Sequence, residues 1–499
     1  MICEDQSGNG SSFSLGKTVP SITGGNILLH SHAYGHHKVF DARVQSRTGT
    51  HFDSTVTILL RRQGTFIKAI LDSSSTSIES LKAAQALKPE SLVRLSGSFH
   101  TAHQSGQIQV APEVAIFKVT NLVVLSTAKV ALSEGTNLHG APDETAPLRE
   151  PRFAMIETRL DNRLLDGRVA STSAIFKIFS GVHELAVEFL SARDFYHVPT
   201  PSLVSYGYPG EDDDFFSVPY FDRTTRLAPT GEVHLGMALS ADMERVYDFH
   251  SVFRREPHSD GRHLTEFTML ELVFNLQNDW TEILELAGNL LVSLIRSLQE
   301  REKYKMLIQS AKRLYPSADS FKLGLTDDGK LIRVTFSEAK LIIRDLLGLQ
   351  SHDEDDFTRG EEAALGRFIA SEESHLGPPT DVFVITHFPR HLRACNLYPS
   401  ENGDNTTQSF DVILRGQEIV TGCRLLHSHE DLLSAFETRS PPIDTTSPEW
   451  RPFLTAHEIG MPPWGGFGLG INRFVQGFMG LADIRETVLF PRDAARLEP

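Results

Sequence analysis

The sequence has few cysteines and no long apolar run. Its 499 residues include three cysteines, Cys3, Cys395 and Cys423, which are too scattered for a disulfide framework or a zinc site. No stretch approaches the roughly 18 apolar residues that are needed to cross a bilayer. Acidic residues, Glu4 and Asp5, stand where a secretory or mitochondrial leader would carry positive charge. We therefore expect a cytoplasmic protein that has no membrane partner.

Positively charged residues are also fewer than negatively charged ones. The chain has 48 Lys and Arg residues against 64 Asp and Glu residues, which gives a formal net charge of −16. Such a chain has no general attraction to a polyanion, so a nucleic-acid partner would need a local basic face. The hydrophobic share of 40% and the charged share of 22% are ordinary for a globular protein. They exclude a largely disordered chain and a fibrous repeat.

The pattern along the chain predicts four segments. Residues 1–35 are rich in Ser, Gly, Asn and His, and we expect a disordered tail. Residues 36–128 contain five short alternating strands and one helix at 78–87, which suits a closed barrel of the OB type, with a generic sandwich as the alternative. Residues 129–157 have the composition of a linker. Residues 158–499 mix helices and strands, and this part includes one long amphipathic helix at 280–304.

Three segments of the last part carry residue types that suit nucleotide chemistry. The first, DFYHVPTPSL (194–203), follows a helix predicted at 171–193 and alone could be any helix–strand connection. The second places FRRE (253–256) and RHLTEF (262–267) on two antiparallel strands. Arginine offers phosphate a planar fork of donors, and an aromatic ring offers a base a flat face. The alternative for this segment is a surface hairpin with ion pairs.

The third segment, PPWGGFGLGINRF (462–474), is a glycine-rich strand that leads into a helix. Glycines let the backbone approach a ligand, and Arg473 falls in the first helical turn, where a phosphate is favoured. A dinucleotide-binding fingerprint is the rival interpretation. It is disfavoured because no further strand–helix unit follows.

In this order, the three segments resemble the three motifs of class II aminoacyl-tRNA synthetases of the aspartate/asparagine branch. The runs TRLDNR (158–163), DIRE (483–486) and FPRD (490–493) make the eukaryotic cytosolic aspartyl enzymes the most similar group. The resemblance covers nearly the whole chain. It implies an α+β fold, with an N-terminal OB barrel and a catalytic antiparallel sheet flanked by helices. It also implies a homodimer, with Pro201 of the first motif at the interface.

The resemblance also implies roles for individual residues, with ATP as substrate and Mg²⁺ as cofactor. The catalytic residues would be Arg254 on the α-phosphate and Arg473 on the γ-phosphate. Phe267 would stack on adenine, and Glu256, His263 and Glu418 would complete the ATP site. Mg²⁺ prefers carboxylate oxygens, and its ligands would be Asp411 and Glu418, whose spacing of seven predicts an intervening turn or irregular backbone. The amino-acid site would include Glu232, Glu271 and Arg424.

Several positions depart from the family pattern. The lysine and the arginine that read an aspartate side chain correspond here to Leu235 and Leu425, with Arg424 one residue before the second position. A shift of one residue on a strand turns a side chain to the opposite face. The histidine after the Pro-Pro pair is Trp464, and the acidic stretch 211–214 lies near the family's amino-group loop. We therefore expect that aspartate is not the favoured substrate.

The expected function is ATP-dependent activation of an amino acid and its transfer to an acceptor, nominally tRNA in translation. On the barrel, the positions that stack on and read anticodon bases in the family are Thr57 and Lys68. These departures keep open a paralogue that activates another amino acid for a non-translational acceptor. A non-catalytic regulator is the third alternative, and the retention of the whole ATP set argues against it.

Overall fold

The computed structural model describes residues 37–48, 54–62, 65–100, 115–129, 155–207, 215–401 and 403–498. The predicted tail, most of the predicted linker and the acidic stretch 211–214 lie outside these residues. The chain divides into two compact units, residues 1–134 and residues 135–499.

The N-terminal unit is a closed five-stranded barrel, as the alternating pattern predicts. Its strands follow the order β1-β2-β3-β5-β4, and β3 pairs with β5 in parallel. Alternate residues of each strand fill the interior. There the Phe40 and Phe99 rings stack, and the Phe117 ring packs edge to face against both. The elements are β1 (His37–Thr48), β2 (Thr55–Arg62), β3 (Thr65–Asp72), α1 (Ile78–Gln85), β4 (Leu92–His100) and β5 (Ala115–Ser126).

The second unit is built on an eight-stranded sheet with the order β12-β13-β14-β15-β16-β11-β10-β6. Its six central strands are antiparallel, and the outer pairs β12–β13 and β10–β6 are parallel, so the sheet is mixed at its edges. The strands are β6 (Tyr196–His197), β10 (Arg245–Phe253), β11 (Glu266–Asn275), β12 (Ile332–Thr335), β13 (Val382–Thr386), β14 (Ser409–Leu414), β15 (Gln417–Leu425) and β16 (Trp464–Gly470). A small second sheet contains β7 (Leu203–Val204), β8 (Ser217–Tyr220) and β9 (Arg223–Leu227).

Helices cover this sheet, and one prediction about them is wrong. The helices are α2 (Ile156–Asp161), α3 (Arg163–Asp166), α4 (Ala170–Ser191), α5 (Glu232–Ser240), α6 (Thr281–Glu300), α7 (Glu302–Lys312), α8 (Phe336–Leu341), α9 (Arg359–Ile369), α10 (His429–Thr438), α11 (Arg451–Glu458) and α12 (Ile471–Met479). The single helix predicted at 280–304 is two helices, because Arg301 is extended (φ −73°, ψ 126°) and pairs with Glu188 of α4. The change of direction lets α7 pack against α4.

The β14–β15 hairpin explains the unusual spacing of Asp411 and Glu418. Its two-residue turn has positive φ at both Arg415 (48°) and Gly416 (74°), which is the backbone twist that a tight hairpin favours. The strand register then shifts between Val412 and Ile413, so the sequence expectation of irregular backbone is met by a turn and a bulge. The hairpin also packs closely on α9: a Cβ on Gly366 would lie 2.7 Å from the Gly416 nitrogen.

Candidate active site

A cleft of about 480 Å³ opens on one face of the large sheet. Strands β11, β15 and β16 form its floor, and the starts of α5 and α12 and residues 391–397 form its walls. Eight of the residues predicted from the sequence line this cleft together: Glu232, Arg254, Glu256, His263, Phe267, Glu271, Glu418 and Arg473. These residues come from positions up to 241 apart in the chain, and the antiparallel order of the strands brings them to one place.

One end of the cleft has the residue types that a nucleotide triphosphate needs. Arg254 lies at the end of β10, and its guanidinium carbon is 5.7 Å from the centre of the Phe267 ring on β11. Arg473 lies in the first turn of α12. Its Nη1 donates a hydrogen bond to the carbonyl oxygen of Glu418 at 3.2 Å and lies 4.0 Å from the Glu418 carboxylate. Two arginines and an aromatic ring thus face the same space.

The loop between β10 and β11 is held from outside by α9. Asp260 accepts hydrogen bonds from the His263 ring nitrogen at 3.0 Å and from Arg359 of α9. Burial opposes ionisation of Asp260, but the Arg262 N–H, Arg359 and His263 outweigh it and hold the pKa of Asp260 well below its usual range. Arg262 in turn pairs with Glu362 of α9 at 3.0 Å. Sequence reasoning missed these α9 contacts, because nothing local links residues about 100 positions apart.

Asp411 does not line the cleft directly, because Arg393 lies against it. The Arg393 Nη2 and Asp411 Oδ2 atoms are 2.5 Å apart; Asp411 is buried and Arg393 is largely buried. Burial raises the pKa of Asp411 to about 7, although Arg393 lowers it, and repulsion from Glu418 adds to the rise. Arg393 itself lines the cleft. It was not predicted, because the run PRHLRACNL (389–397) that contains it has no recognisable pattern.

The carboxylates at this end fit a Mg²⁺ ion. The second oxygen of Asp411, Oδ1, is buried and accepts no hydrogen bond, and the Glu418 carboxylate faces the cleft. A divalent cation would relieve the repulsion that raises the pKa of Asp411. The described residues contain no cluster of three or more His, Cys, Asp or Glu side chains with metal-binding geometry. Mg²⁺ does not need one, because it commonly takes one or two carboxylates and completes its shell with water and substrate phosphates.

The other end of the cleft holds two glutamates. Glu271 is buried, and it accepts hydrogen bonds from Thr230 Oγ1 at 2.6 Å, from the Gly231 N–H at 2.5 Å and from His250 at 2.6 Å. Burial alone would raise its pKa, but these donors outweigh burial and hold the pKa of Glu271 below its ordinary value. Burial and the charge of Glu271 together raise the pKa of Glu232 to about 8. This arrangement favours a bound cation such as an α-ammonium group.

The cleft floor is ordered in rows across the three strands. The first row joins Glu271, Gly468 and Thr421, and the second joins Val273, Gly466 and Cys423. The third row joins Asn275, Trp464 and Leu425, and none of its members lines the cleft.

Arg424 does not reach the cleft. It lies between Cys423 and Leu425 on β15 and therefore points to the other face of the strand. Its guanidinium stacks 3.9 Å from the Tyr398 ring and donates to Gln408 at 3.3 Å. The structure thus separates Arg424 from the other amino-acid-site residues predicted from the sequence.

The comparisons with known proteins agree with this architecture. The family model described as "tRNA synthetases class II (D, K and N)" matches residues 155–494. A cytoplasmic aspartate–tRNA ligase of Pongo abelii is 28% identical over 89% of this chain and 85% of its own length. An aspartate–tRNA(Asp/Asn) ligase of Methanopyrus kandleri is 27% identical over 89% of this chain and 92% of its own length.

Solved structures give the same result. An aspartyl-tRNA synthetase from Entamoeba histolytica superposes with a TM-score of 0.76 at 25% identity, over 94% of this chain and 91% of the other. An asparaginyl-tRNA synthetase from Pyrococcus horikoshii, complexed with asparaginyl-adenylate, gives a TM-score of 0.72 at 23% identity, over 94% and 97% of the two chains. The fold predicted from the sequence is confirmed. Among the described residues, none of the helices combines the length and the apolar character that crossing a bilayer requires.

Proposed function

Because this chain belongs to the class II tRNA synthetases of the D, K and N group, we propose that it activates an amino acid with ATP and transfers the aminoacyl group to an acceptor hydroxyl, nominally of tRNA. The observation that carries the proposal is the single cleft with two arginines and an aromatic ring at one end and two glutamates at the other. The two substrates of the first step need these two environments side by side.

In the first step, an oxygen of the amino-acid carboxylate attacks the α-phosphorus of ATP, and pyrophosphate leaves. Arg254 holds the α-phosphate and stabilises the charge that develops there, and Arg473 holds the γ-phosphate. Phe267 supports the base, with Glu256 and His263 beside it. Glu418 and the free oxygen of Asp411 would hold Mg²⁺, which would supply neutralisation of phosphate charge when bound. Positioning and charge neutralisation carry such a reaction more than a base does.

The amino acid binds with its ammonium group at Glu232 and Glu271. The hydrogen bonds from Thr230, Gly231 and His250 fix the Glu271 carboxylate, so it meets the ligand already oriented. In the second step the acceptor hydroxyl oxygen attacks the carbonyl carbon, AMP leaves, and the hydroxyl proton passes to solvent. We also propose a cytoplasmic homodimer whose interface includes the first motif around Pro201, with domain boundaries as predicted at 36–128 and 158–499.

The first test is ATP–pyrophosphate exchange, measured with each common amino acid, with and without total tRNA. Exchange that requires Mg²⁺ and one amino acid supports the proposal. If a folded protein shows no exchange with any amino acid, the enzymatic proposal is wrong and the regulator alternative takes its place.

A second candidate acceptor, a molecule other than tRNA, is favoured by one feature of the barrel. Thr57 of β2 pairs with Ile70, and Lys68 of β3 pairs with Leu59. A threonine offers no flat surface for a base, and the stacking it cannot provide is worth about 1–3 kcal/mol per base. We therefore expect little discrimination between anticodons. Binding of a tRNA transcript and its anticodon-swapped form at fixed salt checks this, and a large preference for one anticodon restores the translational role.

A further inference from the structure

The cleft floor limits the length of the amino-acid side chain. Strand residues on one face repeat about every 7 Å, so each row of the floor adds about that length to the cleft. Glu271 occupies the first row, and the ammonium group of the substrate is held there. Beyond it only the second row is open, where Gly466 and Cys423 line the cleft.

The third row is closed by packed side chains. Leu235, Leu425 and Trp464 are fully buried members of one apolar cluster. The Trp464 ring lies directly against α5, since a Cβ on Gly236 would come within 2.8 Å of it, and its Nε1 donates to the Leu426 carbonyl oxygen at 3.2 Å. The ring is therefore fixed on both sides, and opening this row would break a packed core.

Among the described residues, we find no unpaired cation beside the open row that could bind a side-chain carboxylate. Among the described residues that line the cleft around it is Glu271, whose ionised carboxylate would repel such a group. Arg393, which lines the cleft wall, forms an ion pair with Asp411 at 2.5 Å. In the second row, Gly466 and Cys423 line the cleft, and neither carries a positive charge.

We infer that the substrate is an amino acid with a small, uncharged side chain, of the size of glycine, alanine or serine, and that Cys423 sets the upper limit of that size. This inference rests on the proposed function and names its substrate class. Selection among amino acids then depends on the volume between Cys423 and Trp464, and not on a charged side chain that binds the side chain of the substrate.

Two variants at Cys423 test the size limit, because they change only the open row. Pyrophosphate exchange is measured with glycine, alanine, serine, valine, leucine, asparagine and aspartate. The wild-type protein is expected to favour one of the first three over leucine and aspartate by at least about tenfold in kcat/KM, since one methylene group in a pocket is worth about 10- to 200-fold. Cys423→Ala should raise kcat/KM for valine relative to that for alanine. Cys423→Val should lower kcat/KM for alanine relative to that for glycine. Arg424→Ala, on the opposite face, is the matched control and should leave the ratio unchanged.

A binding measurement separates this inference from the proposed function. Calorimetry with glycyl-, alanyl- and aspartyl-sulfamoyl adenosine reports selection even where turnover is absent. Tighter binding of the glycyl or alanyl analogue supports the size limit. Tighter binding of the aspartyl analogue, or the highest exchange rate with aspartate, asparagine or leucine, overturns it while leaving adenylation intact. If none of the analogues binds to the folded protein, the inference and the proposed function fall together.

Discussion

The two ends of the cleft share three strands and differ in how they recognise a ligand. At the proposed ATP end, where Arg254 and Arg473 lie, charged groups face open space, and the cations come from the β10–β11 loop and from α12. At the far end, apolar side chains of α5, β15 and β16 fill the space beyond Cys423. The same three strands could therefore support the same reaction in relatives that differ in the amino acid they select. In the proposed enzyme, the reaction depends on where the charges lie, and the choice of amino acid depends on which row of the floor is filled.

The largest effect is expected at the ATP end. Arg254→Ala should reduce the pyrophosphate exchange rate by about 10²- to 10³-fold, equivalent to about 2–4 kcal/mol, because it removes the donor that faces the developing phosphate charge. Steady-state exchange measures this loss. The neighbouring Arg255 is exposed and does not line the cleft, so Arg255→Ala is the matched control. Equal losses in both variants would mean that the segment acts by folding rather than by charge.

The next effect is expected at the ammonium site. Glu271→Gln removes a charge that three donors hold in place, and such charge-assisted hydrogen bonds are worth about 1.5–3 kcal/mol. The KM for the amino acid should rise by about 10- to 100-fold, and the KM for ATP should change little. Glu266→Gln, an exposed position on the same strand, provides the control. A rise confined to the KM for ATP would contradict the division of the cleft into two ends.

A smaller effect is expected from α9, which holds the loop at the ATP end. Arg359→Ala frees Asp260 and His263, and partly exposed ion pairs of this kind are worth up to about 1 kcal/mol. The KM for ATP should rise about two- to fivefold while selection among amino acids is unchanged, and Arg359→Lys should restore part of the affinity. Arg367→Ala, an exposed change on the same helix, should have no effect. A change in kcat alone would argue against a positioning role.

The last effect concerns stability rather than activity, and it is a change in the pH dependence of stability. The pKa of Glu232 is about 8 in the folded protein, above the 4.5 of an exposed glutamate, so between these values the native state binds more protons than the unfolded state. Stability contributed by the protonated carboxyl is therefore lost as pH rises through this window. Glu232→Gln should flatten the decline in denaturant-induced unfolding free energy between pH 5 and 8. Parallel pH curves for the two proteins would show that Glu232 is not perturbed.

The sequence predicts the fold, and the presence of Arg254 and Arg473 in one cleft, better than it predicts the contacts between distant segments. The motif around Arg254 and the glycine-rich strand before Arg473 have local patterns that place them on a strand end and a first helical turn. The ion pair of Arg393 with Asp411 and the contacts of α9 join charged residues that are far apart in the chain, and charge alone does not specify a partner. The helix break at Arg301 was missed for a similar reason, because its pairing with Glu188 depends on the packing of α4.

The close contact of α9 with the β14–β15 hairpin has a consequence for how the protein tolerates substitution. Gly366 and Gly416 leave no room for a side chain on either surface: a Cβ on Gly416 would lie 2.7 Å from the Ala363 Cα atom. Any larger residue there must displace α9 from the hairpin that carries Asp411 and Glu418, and Glu362 with its partner Arg262 would move with the helix. Two glycines that do not line the cleft would thus be intolerant of change, and their variants should weaken ATP affinity as well as stability.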